Sequence, residues 1–189
     1  CNEAESYHDV GAAMIAACDG EKETAAWLIA DKETMGKYGL GYAKPAPLPL
    51  GPLLKNGYLK KGETLAALAQ ACGIDAAGLE ATVAEYNRGA ANGRDEQFGR
   101  GETAFNRYLA DPEVKPNPCV GPVAKGPFYA VKLVMGDLGT FDGLKTTVQG
   151  QVLDADEQPI SGLYAVGNDR ASIMGGNYPG AGITLGPIM

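Results

Sequence analysis

The chain has 189 residues, enough for one good core or two small ones, and its 45% hydrophobic and 21% charged content is that of an ordinary globular protein. Its formal net charge of -7 gives it no attraction for phosphate backbones, so nucleic acid is not an expected partner. No apolar run approaches the roughly 20 residues of a spanning helix, the acidic start Cys1-Asn2-Glu3-Ala4-Glu5 is no signal peptide, and the single histidine, His8, leaves too little for a metal site or a Ser-His-Asp triad.

Tyr7 to Cys18 places Val10, Ala13, Met14 and Ala17 at near-helical spacing, with Gly20 as a stop. Ala25 to Ala30 predicts a short buried strand ending at Asp31. Lys44 to Pro52 is too rich in proline for regular structure. Gly57-Tyr58-Leu59 leads into a helix capped at Lys61-Gly62, with Leu65, Leu68 and Ala69 as its apolar stripe. Asp75 caps a second helix that places Leu79, Val83 and Tyr86 on one face and ends at Asn92-Gly93. Residues 99 to 127 read as a long irregular crossing.

From Pro127 the texture changes to strands. Phe128 to Val134 is one, Leu144 to Val148 and Gln151 to Leu153 are short ones, and Asp154 to Gln158 is a hairpin turn. Leu163-Tyr164-Ala165-Val166 reads as a buried strand ending at Gly167-Asn168. Gly175 to Gly186 is glycine-dense and opens an apolar helix at Ile183. The expected fold is α+β in two domains, residues 1–137 and 138–189. The four cysteines, Cys1, Cys18, Cys72 and Cys119, have no metal-type spacing and suit idle thiols in a reducing, cytoplasmic setting. The absent initiating Met and the apolar end Thr184 to Met189 predict a piece of a longer protein, cut at both ends.

A strand that ends in glycine and Asn168, followed by a glycine-rich turn and a helix, is a shape for holding a ligand. Glycines let backbone approach a flat ring. A helix start at Gly182-Ile183-Thr184 aims N–H groups at negative charge. By itself the pattern is equally a plain turn.

The segments Gly162-Leu163-Tyr164-Ala165-Val166-Gly167-Asn168 and Met174-Gly175-Gly176-Asn177-Tyr178-Pro179-Gly180-Ala181-Gly182-Ile183-Thr184-Leu185-Gly186-Pro187 resemble the C-terminal signature of the fumarate reductase and 3-ketosteroid dehydrogenase flavoproteins. Asn2-Glu3, Trp27-Leu28-Ile29, Asp95 with Phe98-Gly99-Arg100, and Pro127 to Val131 stand in that family's order. The resemblance implies a substrate-covering cap in residues 1–137 and, in 138–189, a return to the FAD domain. The family's Gly-x-Gly-x-x-Gly fingerprint is missing. The resemblance therefore implies FAD in the parent protein, an N-terminal FAD domain as the missing partner, and a chain that is inactive and flavin-free alone. Self-association of the fragment is a further expectation.

Within that family, fumarate reductases use an Arg soon after the Asn-Glu pair, a His after the Phe-Tyr-Ala-Val strand, and an Arg in the last turn. This chain has Tyr7 at the first position, no His in Gly136 to Thr140, and Tyr178 at the last. A dicarboxylate site without cations would bury unpaired charge. The Tyr-Pro-Gly-x-Gly turn at Tyr178 to Gly182 resembles instead the Δ1-type 3-ketosteroid dehydrogenases. That resemblance implies Tyr7 as a general base, and the Tyr178 hydroxyl with the Gly182 N–H as donors to the ketone oxygen of a small apolar substrate. It implies flavin contacts at Leu138, Gly139, Gly167, Asn168, Gly182, Ile183, Thr184 and Leu185. Plainer roles stand beside these: packing for Tyr7, turn stiffening for Tyr178, a local hydrogen bond for Asn168, a solvated surface for His8, an ion pair with Asp95 for Arg100, and core for Tyr129. Two alternatives remain: a fumarate reductase or succinate dehydrogenase type acting on another unsaturated acid, and an inactive cap fragment.

Overall fold

The computed structural model describes residues 1–136 and 142–175. They form two compact units. Cys1–Ala4 groups with Cys18–Val134, whereas Glu5–Ala17, which contains helix α1 (Tyr7–Ala17), groups with the residues from Met135 onward.

The first unit is built on a three-stranded antiparallel sheet of β1 (Ala25–Ala30), β2 (Leu59–Gly62) and β3 (Phe128–Val134), with β3 in the centre. Val131 pairs with Leu28 on one side and Leu59 on the other. Alternate residues of a strand point to opposite faces, and both faces of β3 are covered. Tyr129 and Val131 join Ala30, Met35, Leu40, Ala43 and Leu59 in one cluster, while Phe128 and Ala130 pack with Leu68 in another. Tyr129 is therefore core, as its strand position suggests.

Helix α2 (Lys32–Tyr38) follows β1 directly. Asp31, expected only to stop the strand, is its N-cap, and its carboxylate accepts from the Thr34 N–H at 2.9 Å. Helix α3 (Gly51–Lys55) starts with proline in its first turn, the one helical place where the missing N–H costs nothing, and so interrupts a stretch expected to be irregular. Leu59 to Gly62 is strand and not a helix start, because the segment pairs with β3. Helix α4 (Leu65–Cys72) begins only at Thr64, whose hydroxyl caps the Ala67 N–H. Gly62 is needed there, since a Cβ would collide with the backbone of Leu68. Gly73, in the left-handed region at φ 71°, turns the chain into helix α5 (Ala76–Ala90), capped by Asp75 as its sequence predicts. Helix α6 (Ala104–Tyr108) is a short turn within the long crossing.

The second unit holds α1 and a hairpin of β4 (Gln151–Leu153) and β5 (Pro159–Tyr164). The Asp154 carboxylate accepts from the N–H groups of Asp156 and Gln158, which closes the expected turn. Two expectations fail here. Leu144 to Val148 is not a strand but a strap with isolated bridges, since Leu144 pairs with Arg170 and Thr146 with Val152. The strap changes partners midway and cannot form one ladder. The final strand ends at Tyr164, and all six of its residues are exposed. A two-stranded hairpin has no second layer to bury them. The glycine-dense stretch and its helix at Ile183 lie outside the described residues.

Candidate functional site

Tyr7 is the first residue of α1, and the helix start that carries it is locked by its own sequence. The Ser6 hydroxyl accepts from the Asp9 N–H at 3.2 Å and donates to the Asp9 carboxylate at 2.7 Å, and the Ser6 carbonyl accepts from the Val10 N–H. Ser6 is buried whereas Tyr7 is 50% exposed, so the half-accessible Tyr7 starts from a fixed turn. His8 beside it is half-buried.

Gly167 and Asn168 lie in a 3-10 turn, Gly167–Asp169, with Gly167 at φ 61°. That is the left-handed region, which glycine enters without strain. The Asn168 side chain is exposed and makes no hydrogen bond to the described residues. It does not spend its carboxamide on its own backbone, the plainer role open to it. The strap that follows residue 141 holds this turn. The Leu144 N–H donates to the Asp169 carbonyl at 2.9 Å, and the Ala171 N–H to the Leu144 carbonyl at 2.8 Å. The contact is close enough that a Cβ on Gly143 would meet the carbonyl groups of Asp169 and Arg170. Gly143 escaped the sequence reading; its only signal was a glycine just ahead of an apolar segment, a mark of close backbone approach.

The residues expected at the other contacts, Leu138, Gly139, Tyr178, Gly182, Ile183, Thr184 and Leu185, lie outside the described residues. The structure therefore brings together the strap 142–146 and the turn 167–171, and of the expected flavin contacts it places Gly167 and Asn168.

The motif residues near Arg100 form a polar knot in the first unit. Arg100 pairs with the buried Asp95, as expected, and also with Glu3, at 2.5 Å from Nη2. The rings of Tyr86 and Phe98 flank the guanidinium at 5.4 and 5.6 Å. Burial works against the charge of Arg100, but Glu3 and Asp95 outweigh it and raise its pKa. Burial likewise pushes the Tyr86 phenol up. Among the described residues no group of three or more His, Cys, Asp or Glu could hold a metal ion, and no helix is long and apolar enough to cross a membrane.

Residues 1–185 match the family described as FAD binding domain. The 4-oxocyclohex-2-ene-1-carboxylate 5-dehydrogenase of Sinomonas cyclohexanicum is 54% identical over 188 residues, which is 100% of this chain and 32% of that protein. The 3-oxosteroid 1-dehydrogenase of Mycolicibacterium smegmatis is 43% identical over 164 residues, 87% of this chain and 29% of that protein. Among solved structures, the 3-ketosteroid delta1-dehydrogenase of Sterolibacterium denitrificans, in complex with 1,4-androstadiene-3,17-dione, superposes with a TM-score of 0.87 at 42% identity, over 100% of this chain and 34% of that one. The chain thus spans about a third of the length of the relatives it matches.

Proposed function

The chain belongs to the FAD-dependent flavoprotein family of the fumarate reductases and 3-ketosteroid dehydrogenases, and on that premise we propose that it forms part of an oxidoreductase that dehydrogenates a C–C bond next to a ring ketone. Residues 1–137 would serve as the cap over the substrate and 138–189 as the closing segment of the FAD domain. A small apolar ketone, 3-ketosteroid-like, is the substrate class. The observation that carries the reading is Tyr7: a phenol, half exposed on a capped helix start, where the dicarboxylate enzymes of the family use a cation.

The turn 167–169 suits a flavin contact. Its glycine permits close approach, its Asn168 carboxamide makes no hydrogen bond to the described residues, and the strap behind it leaves no room for a Cβ on Gly143. Gly167 and Asn168, with Leu138, Gly139, Gly182, Ile183, Thr184 and Leu185, would hold the isoalloxazine end. When bound, the flavin supplies the two-electron oxidation by accepting hydride from the substrate carbon.

The chain's own residues then divide the remaining work. The Tyr178 hydroxyl and the Gly182 N–H donate to the ketone oxygen, where negative charge grows as the adjacent C–H bond breaks. Tyr7 would accept that proton as its phenolate and become the phenol. Neutral donors fit a ketone and give a second carboxylate nothing to pair with. Four free cysteines suit a reducing compartment, and we place the protein in the cytoplasm. The chain alone would associate with itself through β5.

The 54% identity to an enzyme named for a monocyclic oxo-acid favours a second reading, a cyclohexanone carboxylate in place of a steroid. The test is a substrate screen on a flavoprotein of the relatives' length that carries this chain. Ring ketones of either size should bleach the flavin and yield the enone, and fumarate should not be reduced. Fumarate reduction would overturn the assignment.

A further inference from the structure

We propose that Gly11 is a positioning residue for Tyr7, acting by seating helix α1 directly on the Met135 side chain. The proposal rests on Tyr7 being the general base. Glycine is the poorest helix former after proline, so its place inside α1 calls for a reason in packing. Met135 supplies one. Gly11 is buried, and a Cβ there would lie 3.0 Å from Met135 Cε and 3.6 Å from its Sδ. Carbon atoms pack at about 3.5–4.0 Å, so the helix backbone approaches the thioether more closely than any side chain at this position would allow. Both residues belong to one compact unit, which also holds Tyr7 and the turn Gly167–Asp169.

Helix geometry carries this contact to Tyr7. Tyr7, Gly11 and Met14 follow one another at steps of four and three, which sets them along one face of α1. Gly11 and Met14 are the buried residues of the helix, and Tyr7 extends their row into the first turn, where it is half exposed. Only about one turn of helix, roughly 5.4 Å of rise, separates Tyr7 from Gly11. The Ser6 hydroxyl accepts from the Asp9 N–H and the Ser6 carbonyl from the Val10 N–H, which keeps that turn wound. This end of α1 therefore moves as one rod, and lifting it at Gly11 lifts the phenol with it. A methyl in place of the glycine hydrogen asks only a small shift of a flexible thioether, whereas a leucine side chain has to raise the helix. A base must sit within hydrogen-bond reach of the proton it takes, and a displacement near 1 Å can cost about a hundredfold in rate.

The test is a pair of double-mutant cycles in a flavoprotein of the relatives' length that carries this chain, with flavin content and melting temperature confirming the fold. Gly11→Leu should lower kcat about tenfold with KM within about twofold, although leucine is the better helix former. Met135→Ala in the same protein should return the room, so that Gly11→Leu then costs less than about threefold. In the Tyr7→Phe background Gly11→Leu should have almost no further effect on kcat. An equal loss with and without Met135→Ala, an equal loss with and without Tyr7→Phe, or no loss at all overturns the seat alone. Near wild-type turnover by Tyr7→Phe overturns the base assignment, and the seat with it. Should Gly11→Leu fail to fold, Gly11→Ala enters the same cycles. Alanine favours the helix, so the melting temperature should hold or rise while kcat falls about twofold, and Met135→Ala should again remove the loss. Unchanged kcat in that variant overturns the seat.

Discussion

Asp31 holds three parts of the first unit with one side chain. Its buried carboxylate accepts from the N–H groups of Thr34, Ala124 and Lys125, tying the end of β1 and the start of α2 to the approach to β3. Burial alone would raise its pKa, but these three donors outweigh burial and hold it below its ordinary 3.8. A folded pKa below the unfolded one stabilises fully above the unfolded value and is lost as pH falls through the folded one. Stability should therefore drop on the acid side, below pH 3.8, and not around neutrality. Asp31→Asn should cost about 1–2 kcal/mol at neutral pH and flatten that acid limb, read by urea melts across pH. An unchanged limb would remove Asp31 from this role. The sequence signalled Asp31 only as a strand stop, because α2 buries little besides Met35 and leaves no apolar stripe to read. The Arg100–Asp95 pair was legible because both partners lie five residues apart. Asn106 and Asn2 were not, since polar residues reveal burial only through partners a hundred positions away.

At the scale of elements, legibility followed local signals. The Asp75 cap with its stripe Leu79, Val83 and Tyr86 gave α5, and the apolar run Phe128 to Val134 gave the central strand β3. Leu59 to Gly62 misled because a cap-like Lys-Gly preceding an apolar stripe says nothing of the pairing with β3 that captures it. The strap misled for a similar reason: Leu144 and Thr146 bond to different neighbours, and pairing partners are not written in alternation. The same strap supports a prediction. A Cβ at Gly143 must push the Asp169–Arg170 backbone away, which displaces the turn bearing Asn168. Gly143→Ala should weaken flavin binding about tenfold, equivalent to about 1.4 kcal/mol. Flavin titration of the apo form of a flavoprotein of the relatives' length that carries this chain checks this; unchanged affinity would show that the strap does not set the turn.

For the whole molecule, the relevant fact is that the chain spans about a third of its relatives' length. Its sequence carries no Gly-x-Gly-x-x-Gly turn to hold a pyrophosphate. The isolated chain should therefore come off a column colourless after loading with FAD, and stoichiometric bound flavin would refute this. β5 exposes Ile160, Leu163 and Tyr164, and exposed strand surface of this kind invites pairing. Sedimentation of the chain alone should show concentration-dependent association that Leu163→Lys weakens. A monomer at all concentrations would contradict the proposed role of β5.

The proposed roles of Tyr178 and Tyr7 in ketone-directed proton chemistry beside a flavin are decided by anaerobic stopped-flow of flavin reduction by a 3-ketosteroid, in a flavoprotein of the relatives' length that carries this chain. Tyr178→Phe should slow reduction by about 10² to 10³ with substrate affinity nearly kept, because a hydroxyl in the proposed role is needed mainly where enolate charge develops. Tyr7→Phe should slow it as well and alter its pH dependence, because in the proposed role the lost group takes a proton. Reduction at near wild-type rates in both variants would contradict the catalytic roles of the two tyrosines.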